Sequence, residues 1–173
     1  MDKYIGKSVM RGIAIGRVYL YKKVEIQVTD QKVTDAAAEK ERFSAAVDRA
    51  KAQLTRLYDE ARQNVGEDHA AIFDVHRMLL EDEDYLETAA EEIENGYNAV
   101  YAVDQAGTQF AELFAAMDDE YMRGRAADIR DISQRVIRIL LDLPEEEINS
   151  DEPVVLVAED LTPSETVKLD KKK

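Results

Sequence analysis

A single apolar seam constrains how most of this chain folds. From residue 43 onward, apolar side chains recur at alternating spacings of four and three residues. The seam consists of Phe43, Val47, Ala50, Leu54, Leu57 and Ala61. This pattern is one face of a long helix with a near-heptad repeat, which is buried by packing lengthwise against another helix. Thr34 is the predicted N-cap of this helix, and Gly66 is its predicted left-handed stop.

Shorter helical segments follow the seam helix. The first has an apolar side made of Ile72, Phe73, His76, Leu79 and Leu80. The acidic run at 81–84 favours the start of a second short helix, because acids are stabilised at the positive end of the helix dipole. This helix is predicted to end at about Glu94, before Asn95 and Gly96. Asn98 then caps a third segment, and the last helix spans about 118–141, with Pro144 as its limit.

Strand patterns lie on either side of this helical block. Residues 12–21 are rich in β-branched and aromatic side chains, and a weaker extended pattern follows at 24–28. Residues 154–158 form a short apolar run typical of a strand buried on both faces. After it, Thr162, Pro163 and Glu165 form the pattern of a capping box that begins a helix.

The order of these patterns predicts a helical domain inserted into a second domain. Strand-bearing pieces that bracket a helical block normally pair across it. We therefore expect an α/β part at 1–32 and 145–173 and a helical part at 33–144. The fold class is mainly α, an antiparallel bundle of a long helix, two short kinked helices and two more helices inserted in an incomplete α/β domain. Two strands with one helix start do not close an α/β layer, so we expect unpaired strand edges.

Charge and composition narrow the classes of partner. Acids outnumber bases by 37 to 23, and the net charge is −14. This balance argues against nucleic acid and against anionic membrane surfaces, which need Lys and Arg. The chain has no cysteine, and no signal peptide or membrane-spanning apolar run is visible in it. A cytoplasmic location is the expectation.

The two histidines are the first candidates for chemistry. His69 and His76 are seven residues apart, which on a helix is about 10 Å along the axis. One metal ion does not bridge that distance, so no metal site is expected. His76 lies on the apolar side of its helix, where a core-edge histidine bonded to a neighbour is the first interpretation. A partner contact and a phosphorylated or catalytic histidine are the alternatives.

The stretch at 67–94 is unusually acidic. It contains eleven acidic residues and one arginine, Arg77. Apolar residues are interleaved among the acids, namely Ala71, Met78, Leu79 and Tyr85. An acidic rim around exposed apolar side chains is suited to docking a basic protein, because charge steers the encounter and the apolar centre gives affinity. A plain solvated face is the alternative.

Four segments resemble one protein family. The sequences at 71–85 (AIFDVHRMLLEDEDY) and 118–132 (DDEYMRGRAADIRDI) are similar to the helical domain of enzyme I of the phosphoenolpyruvate:sugar phosphotransferase system. The opening GIAIG at 12–16 and LVAEDLTPSE at 156–165 are similar to the same family, in the same order. One departure is Val-Met-Arg at 9–11, where the family often has Ser-Pro before the glycine.

The resemblance implies a fold, a partner and a set of contact residues. Family members take phosphate from phosphoenolpyruvate, with magnesium, on a C-terminal barrel domain and pass it through a histidine of an α/β domain to the phosphocarrier HPr. The helical domain docks HPr. By position, the implied partner-binding residues are Glu67, Asp68, Ala71, Met78, Leu79, Glu83, Asp84, Tyr85, Phe114, Met122 and Arg125. Magnesium binding and homodimerisation belong to the C-terminal part in the family, so no metal site is expected in this chain.

The phosphorylated histidine of the family lies in a Gly-Gly-x-Thr-Ser-His type of motif that these 173 residues do not contain. No histidine follows His76. We therefore expect a front fragment of the enzyme, which docks HPr but transfers no phosphate by itself. Two alternatives stay open. One is the same front domain from a paralogue, such as the nitrogen-branch enzyme I or the multiphosphoryl protein of dihydroxyacetone phosphorylation. The other is a non-enzymatic helical interaction module.

Overall fold

Six helices and two short strands make up the part of the chain that the computed structural model describes, residues 12–24, 26–145, 148 and 152–169. In chain order they are β1 (Arg17–Leu20), α1 (Ala36–Asn64), α2 (Glu67–Leu79), α3 (Glu83–Glu94), α4 (Ala99–Ala115), α5 (Glu120–Leu140), β2 (Val154–Val157) and α6 (Pro163–Val167). The mainly α fold class is confirmed. The Val-Met-Arg segment at 9–11, where the sequence departs from the family, lies outside the described residues.

The apolar seam forms the buried face of α1. All six seam residues are buried, and α1 packs against α2 and α5 along its length. The helix begins one residue later than predicted. Asp35, and not Thr34, is the N-cap, because the Asp35 carboxylate accepts the Ala38 amide at 3.0 Å. Gly66 follows the helix end with φ of +101°, a conformation that favours glycine, as the sequence predicted.

The boundary between the short helices α2 and α3 lies at the acidic run, as predicted. Asp82 is the N-cap of α3, and its carboxylate accepts the Tyr85 amide at 3.0 Å. The helix ends at Glu94, and Gly96 has φ of +87° just beyond it. Because both ends are fixed by local side-chain and backbone chemistry, the sequence places them correctly.

Asn98 holds α4 at its start. Its side-chain oxygen accepts the Tyr101 amide at 2.9 Å, and its amide nitrogen donates to the carbonyls of Thr29 and Gln31. The segment before α1 is thereby fastened to the bundle. The helix α5, which packs against α4, ends at Leu140, and Asp142 just beyond it has φ of +50°. The helix thus ends within one residue of the predicted position, before the limit set by Pro144.

The helices α4 and α5 approach each other closely at Gly107. A Cβ atom added to Gly107 would lie 2.3 Å from the Ser133 hydroxyl, a distance at which something must shift. The Ser133 hydroxyl donates to the Ile129 carbonyl at 2.8 Å and lies 2.9 Å from the Tyr85 hydroxyl. Three helices therefore meet at one buried hydroxyl pair.

The two strands pair in parallel across the helical block, as expected. The register runs from Arg17 opposite Val154 to Leu20 opposite Val157. The expectation that β2 is buried on both faces is wrong for the described residues, because its first three residues are only half-buried and Val157 is 43% exposed. The weaker pattern at 24–28 forms no strand in its described residues.

The last helix, α6, starts with the predicted capping box. Thr162 accepts the Glu165 amide, and the Glu165 carboxylate accepts the Thr162 amide at 2.6 Å. The same carboxylate accepts the Tyr21 hydroxyl at 2.6 Å. This bond fastens α6 to the segment that follows β1.

Candidate functional site

The exposed face of α2 carries most of the residues predicted to meet a partner. Glu67, Asp68 and Ala71 are exposed, and Met78 is 58% exposed. Ala71 and Met78 lie on one face because seven residues make two turns. Leu79 is half-buried and packs against the core at the edge of this face.

The first turn of α3 presents two unneutralised acids. Glu83 and Asp84 are exposed. Within the described part of the chain, neither carboxylate forms an ion pair, and neither does that of Asp68. Glu67 differs, because it lies 3.9 Å from Arg62 and accepts the Tyr58 hydroxyl. Asp68, Glu83 and Asp84 therefore remain available to cations of a partner.

Tyr85 does not belong to this surface. Its side chain is fully buried, its ring packs edge-on against Phe110, and its hydroxyl lies 2.9 Å from the Ser133 hydroxyl. Burial raises the pKa of Tyr85 to about 12. The prediction of Tyr85 as a partner contact is corrected: helical period places it with Ala89 and Ile93 on the inner face of α3.

The end of α4 and the start of α5 contribute further apolar side chains that are partly or largely exposed. Phe114 and Met122 are half-buried, and Phe114 packs against the core. Leu113 is 55% exposed and Tyr121 is 67% exposed, and both were missed as site candidates. Leu113 continues the apolar spacing of Val103, Ala106 and Phe110 in α4, a pattern that favours a core position. The sequence signal for Tyr121 is its position directly after the acidic run at 118–120, just inside the predicted start of α5.

Within this region, Arg125 is fixed by two neighbours on α5. Its Nη1 donates to Asp128 Oδ2 at 2.8 Å, and its Nη2 donates to the Tyr121 hydroxyl. The guanidinium carbon also lies 4.4 Å from the centre of the Tyr121 ring. The candidate docking surface is defined here as Glu67, Asp68, Ala71, Met78, Leu79, Glu83, Asp84, Phe114, Met122 and Arg125.

His76 joins α2 to α5 beneath this surface. Its side chain is fully buried, with Nε2 at 3.1 Å from Asp128 Oδ1 and Nδ1 at 3.5 Å from Asp131 Oδ2. The ring also meets Phe73 edge-on, with centroids 6.2 Å apart. The interpretation of His76 as a core histidine bonded to a neighbour is thereby confirmed. The contact sets the start of α5 beside the C-terminal half of α2.

The neighbours of the Asp128 carboxylate lower its pKa. Burial acts to raise its pKa, but the hydrogen bonds with His76 and Arg125 outweigh burial and hold the pKa below its usual range. Asp128 is therefore charged at neutral pH. Since both carboxylate oxygens are engaged, one by each partner, the carboxylate has a single favoured orientation.

A cleft of about 820 Å³ lies between α5 and α6. Arg135 lies in its wall, donating to Gln53 Oε1 at 3.0 Å and to the Ser164 hydroxyl at 2.7 Å. Burial lowers the pKa of Arg135. The Ser164 hydroxyl is 3.3 Å from Asp131 Oδ2, so the cleft wall continues the polar cluster around the buried histidine. Two ion pairs also line the cleft, Lys23 with Glu165 and Lys168 with Glu145.

In the described ranges, no group of three or more His, Asp or Glu side chains is placed to hold a metal ion. No described helix is both long enough and apolar enough to cross a bilayer.

Sequence comparison groups the chain with one family. The profile described as PEP-utilising enzyme, N-terminal, matches residues 5–125. A phosphoenolpyruvate-protein phosphotransferase of Staphylococcus carnosus is 40% identical over 169 residues, which is 96% of this chain and 29% of the relative. One from Priestia megaterium is 38% identical over 96% of this chain and 30% of the relative. The chain thus spans less than a third of the length of these relatives.

Two solved structures have the same fold. A solution NMR structure titled as Enzyme I has a TM-score of 0.76 and 29% identity, and the match covers 90% of this chain and 64% of that one. A structure titled as the N-terminal domain of Enzyme 1 - Nitrogen has a TM-score of 0.69 and 29% identity, covering 92% of this chain and 66% of that one.

Proposed function

Because the chain belongs to the family of N-terminal domains of phosphoenolpyruvate-utilising enzymes, we propose that its helical block is the part of an enzyme I that docks the phosphocarrier HPr. One observation carries this proposal. Three exposed acids without an ion pair among the described residues, Asp68, Glu83 and Asp84, accompany the exposed apolar side chains of Ala71 and Met78 on the consecutive helices α2 and α3.

The charge of the surface favours a basic protein. Each unpaired carboxylate attracts a cation of the partner over roughly a Debye length of about 8 Å at physiological salt. Such attraction mainly speeds association, whereas burial of Met78 and Ala71 would provide the affinity. We therefore expect the association rate to fall with salt more than the dissociation rate rises.

The same geometry argues against chemistry at His76. A phosphate acceptor has to present a ring nitrogen to an anionic donor. Both ring nitrogens of His76 face carboxylates, and the ring is fully buried. We propose that this histidine is structural and that these residues incorporate no phosphate from phosphoenolpyruvate and magnesium on their own.

The wider role is part of the same proposal. In an enzyme of this type, phosphate would pass from phosphoenolpyruvate to a histidine of HPr for sugar uptake in the cytoplasm. Magnesium would act elsewhere in the enzyme, because no described cluster of acids here suits a metal ion. A homodimer would likewise form through other parts of the enzyme.

The rival proposals differ in the partner they name. A nitrogen-branch enzyme would dock a paralogous carrier. Because the chain is also similar to the structure titled Enzyme 1 - Nitrogen, that carrier is the alternative partner to test. The relatives named above carry the phosphoenolpyruvate-protein phosphotransferase name and favour HPr. A purely structural helical module would bind neither carrier.

Charge reversal with a matched control tests the docking proposal. Glu83→Lys changes the proposed surface, whereas Glu41→Lys makes the same charge change at an exposed glutamate of α1 that forms no ion pair with any residue the structure describes. Calorimetric titration with the HPr of Staphylococcus carnosus should show weaker binding for Glu83→Lys by roughly fivefold or more, the loss typical of a contributing interface residue. The Glu41→Lys variant should bind like the unmodified chain.

The difference between the two variants should shrink in high salt, because screening removes the long-range part of the attraction. Equal losses for the two variants would mean that net charge, rather than this surface, governs binding. Absence of binding to HPr, with binding to a nitrogen-branch carrier, would transfer the proposal to the paralogue.

A further inference from the structure

We infer that His76 is a positioning residue for the docking surface: through Asp128 it fixes Arg125, and through Arg125 it fixes the exposed ring of Tyr121. The consequence for docking rests on the proposed function. The positioning itself concerns the free chain and has its own readout.

The first link is the buried pair of His76 and Asp128. His76 has no exposed surface, and its Nε2 lies 3.1 Å from Asp128 Oδ1. Asp128 accepts this bond with one oxygen and uses its other oxygen for Arg125. Rotation of the carboxylate away from the histidine would therefore also disturb the oxygen that Arg125 needs.

The second link leads from Asp128 to the surface. Arg125 donates from Nη1 to Asp128 at 2.8 Å and from Nη2 to the Tyr121 hydroxyl, and its guanidinium lies against the Tyr121 ring. Side-chain exposure rises along this path, from 0% at His76 through 14% at Asp128 and 16% at Arg125, and Tyr121 as a residue is 67% exposed. The buried end thus sets the geometry of an exposed ring that is not among the side chains packed against the described core.

The other carboxylate near the histidine does not replace Asp128. Asp131 Oδ2 is 3.5 Å from His76 Nδ1, beyond a good hydrogen bond, and it accepts the Ser164 hydroxyl at 3.3 Å. Asp131 therefore belongs to the cleft side of the cluster. Of the two acids of α5 that face the ring, Asp128 is the one bonded to Arg125.

A double-mutant cycle measures the relay in the presence of HPr. His76→Leu removes the donor while keeping an apolar side chain of similar size, and Arg125→Ala cuts the relay at the surface. We expect His76→Leu to weaken docking of Staphylococcus carnosus HPr by roughly fivefold. In the Arg125→Ala background, His76→Leu should have no further effect, because residues that act through one path are non-additive. Additive losses would overturn the inference.

Rescue by a conservative variant separates positioning from general packing. His76→Gln places an amide donor near the position of Nε2 and should restore docking to within about twofold of the unmodified chain, since Gln donates as a neutral imidazole does. Failure of this rescue, with the variant folded, would argue against the relay. If His76→Leu does not fold, Asp128→Ala, at a partly exposed position, cuts the same relay.

A partner-free readout keeps the inference distinct from the docking proposal. In NMR spectra of the chain alone, the Arg125 guanidinium protons should exchange slowly and the Tyr121 ring should shift relative to its position in the Arg125→Ala variant. Both features should disappear in His76→Leu and return in His76→Gln. Their persistence in His76→Leu would overturn the inference whether or not HPr binds. If they behave as expected and HPr does not bind, the relay stands and the docking proposal fails.

Discussion

Replacing Tyr85 by Phe should lower stability without affecting docking. The change deletes one buried hydroxyl, which lies 2.9 Å from the Ser133 hydroxyl. Ser133 itself donates to the Ile129 carbonyl, so the Tyr85 hydroxyl is the donor of the pair and no donor is left unpaired by its removal. The loss is one neutral hydrogen bond, a cost of about 1 kcal/mol.

The expected cost gives a measurable shift in melting temperature. For a chain of 173 residues, about 1 kcal/mol lowers Tm by roughly 2–4 °C. Calorimetry or circular dichroism at neutral pH resolves this shift. Burial raises the pKa of Tyr85 to about 12, so ionisation of the phenol does not complicate the comparison.

Met78→Ala is the control for Tyr85→Phe, because it should affect docking and leave stability nearly unchanged. Met78 is 58% exposed, so its truncation should change stability by no more than about 0.5 kcal/mol. It should weaken binding of HPr, because it removes the largest exposed apolar side chain of α2. Weakened docking by Tyr85→Phe at unchanged stability would refute the assignment of Tyr85 to the core.

Two further predictions concern packing and pH. In denaturant unfolding, Gly107→Ala should destabilise the chain by about 1–3 kcal/mol through overpacking against Ser133. Gly124→Ala has nothing within 4 Å of its added Cβ and should stabilise the chain by roughly 0.5–1 kcal/mol. Equal effects of the two substitutions would contradict the close approach of α4 and α5. For Glu165, burial acts to raise its pKa, but the hydrogen bond from Tyr21 and other bonds outweigh it, so the folded pKa lies below 4.5. The charged Glu165 carboxylate therefore stabilises the fold above pH 4.5, and this stabilisation is lost as pH falls through the folded pKa. The unfolding curves of Glu165→Gln and the unmodified chain should differ at neutral pH and coincide in acid.

Local signals explain why the helices were predictable from sequence. The break between α2 and α3 is set by Asp82, whose side chain caps the next helix, and the start of α4 is set by Asn98 in the same way. The α1 seam is a repeat of 3.5 residues that the sequence displays directly. Each of these features depends on residues a few positions apart, so one sequence suffices to find them.

Contacts between distant segments explain what the sequence could not supply. His76 meets Asp128 across 52 positions, and Gly107 approaches Ser133 across a helix pair. No local pattern encodes such partners. Tyr85 is a different case, because its spacing to Ala89 and Ile93 indicated burial, whereas the neighbouring acids suggested a surface residue. The periodicity was the better guide, since it follows from helix geometry.

Chemical-shift mapping tests the central claim most directly. The ¹⁵N-labelled chain would be titrated with unlabelled HPr of Staphylococcus carnosus at low and at moderate salt. The proposal predicts shifts concentrated at Ala71, Met78, Glu83, Asp84 and Arg125, with binding that weakens as salt rises. Absence of shifts at millimolar HPr, or shifts centred on β1 and β2 instead, would contradict it.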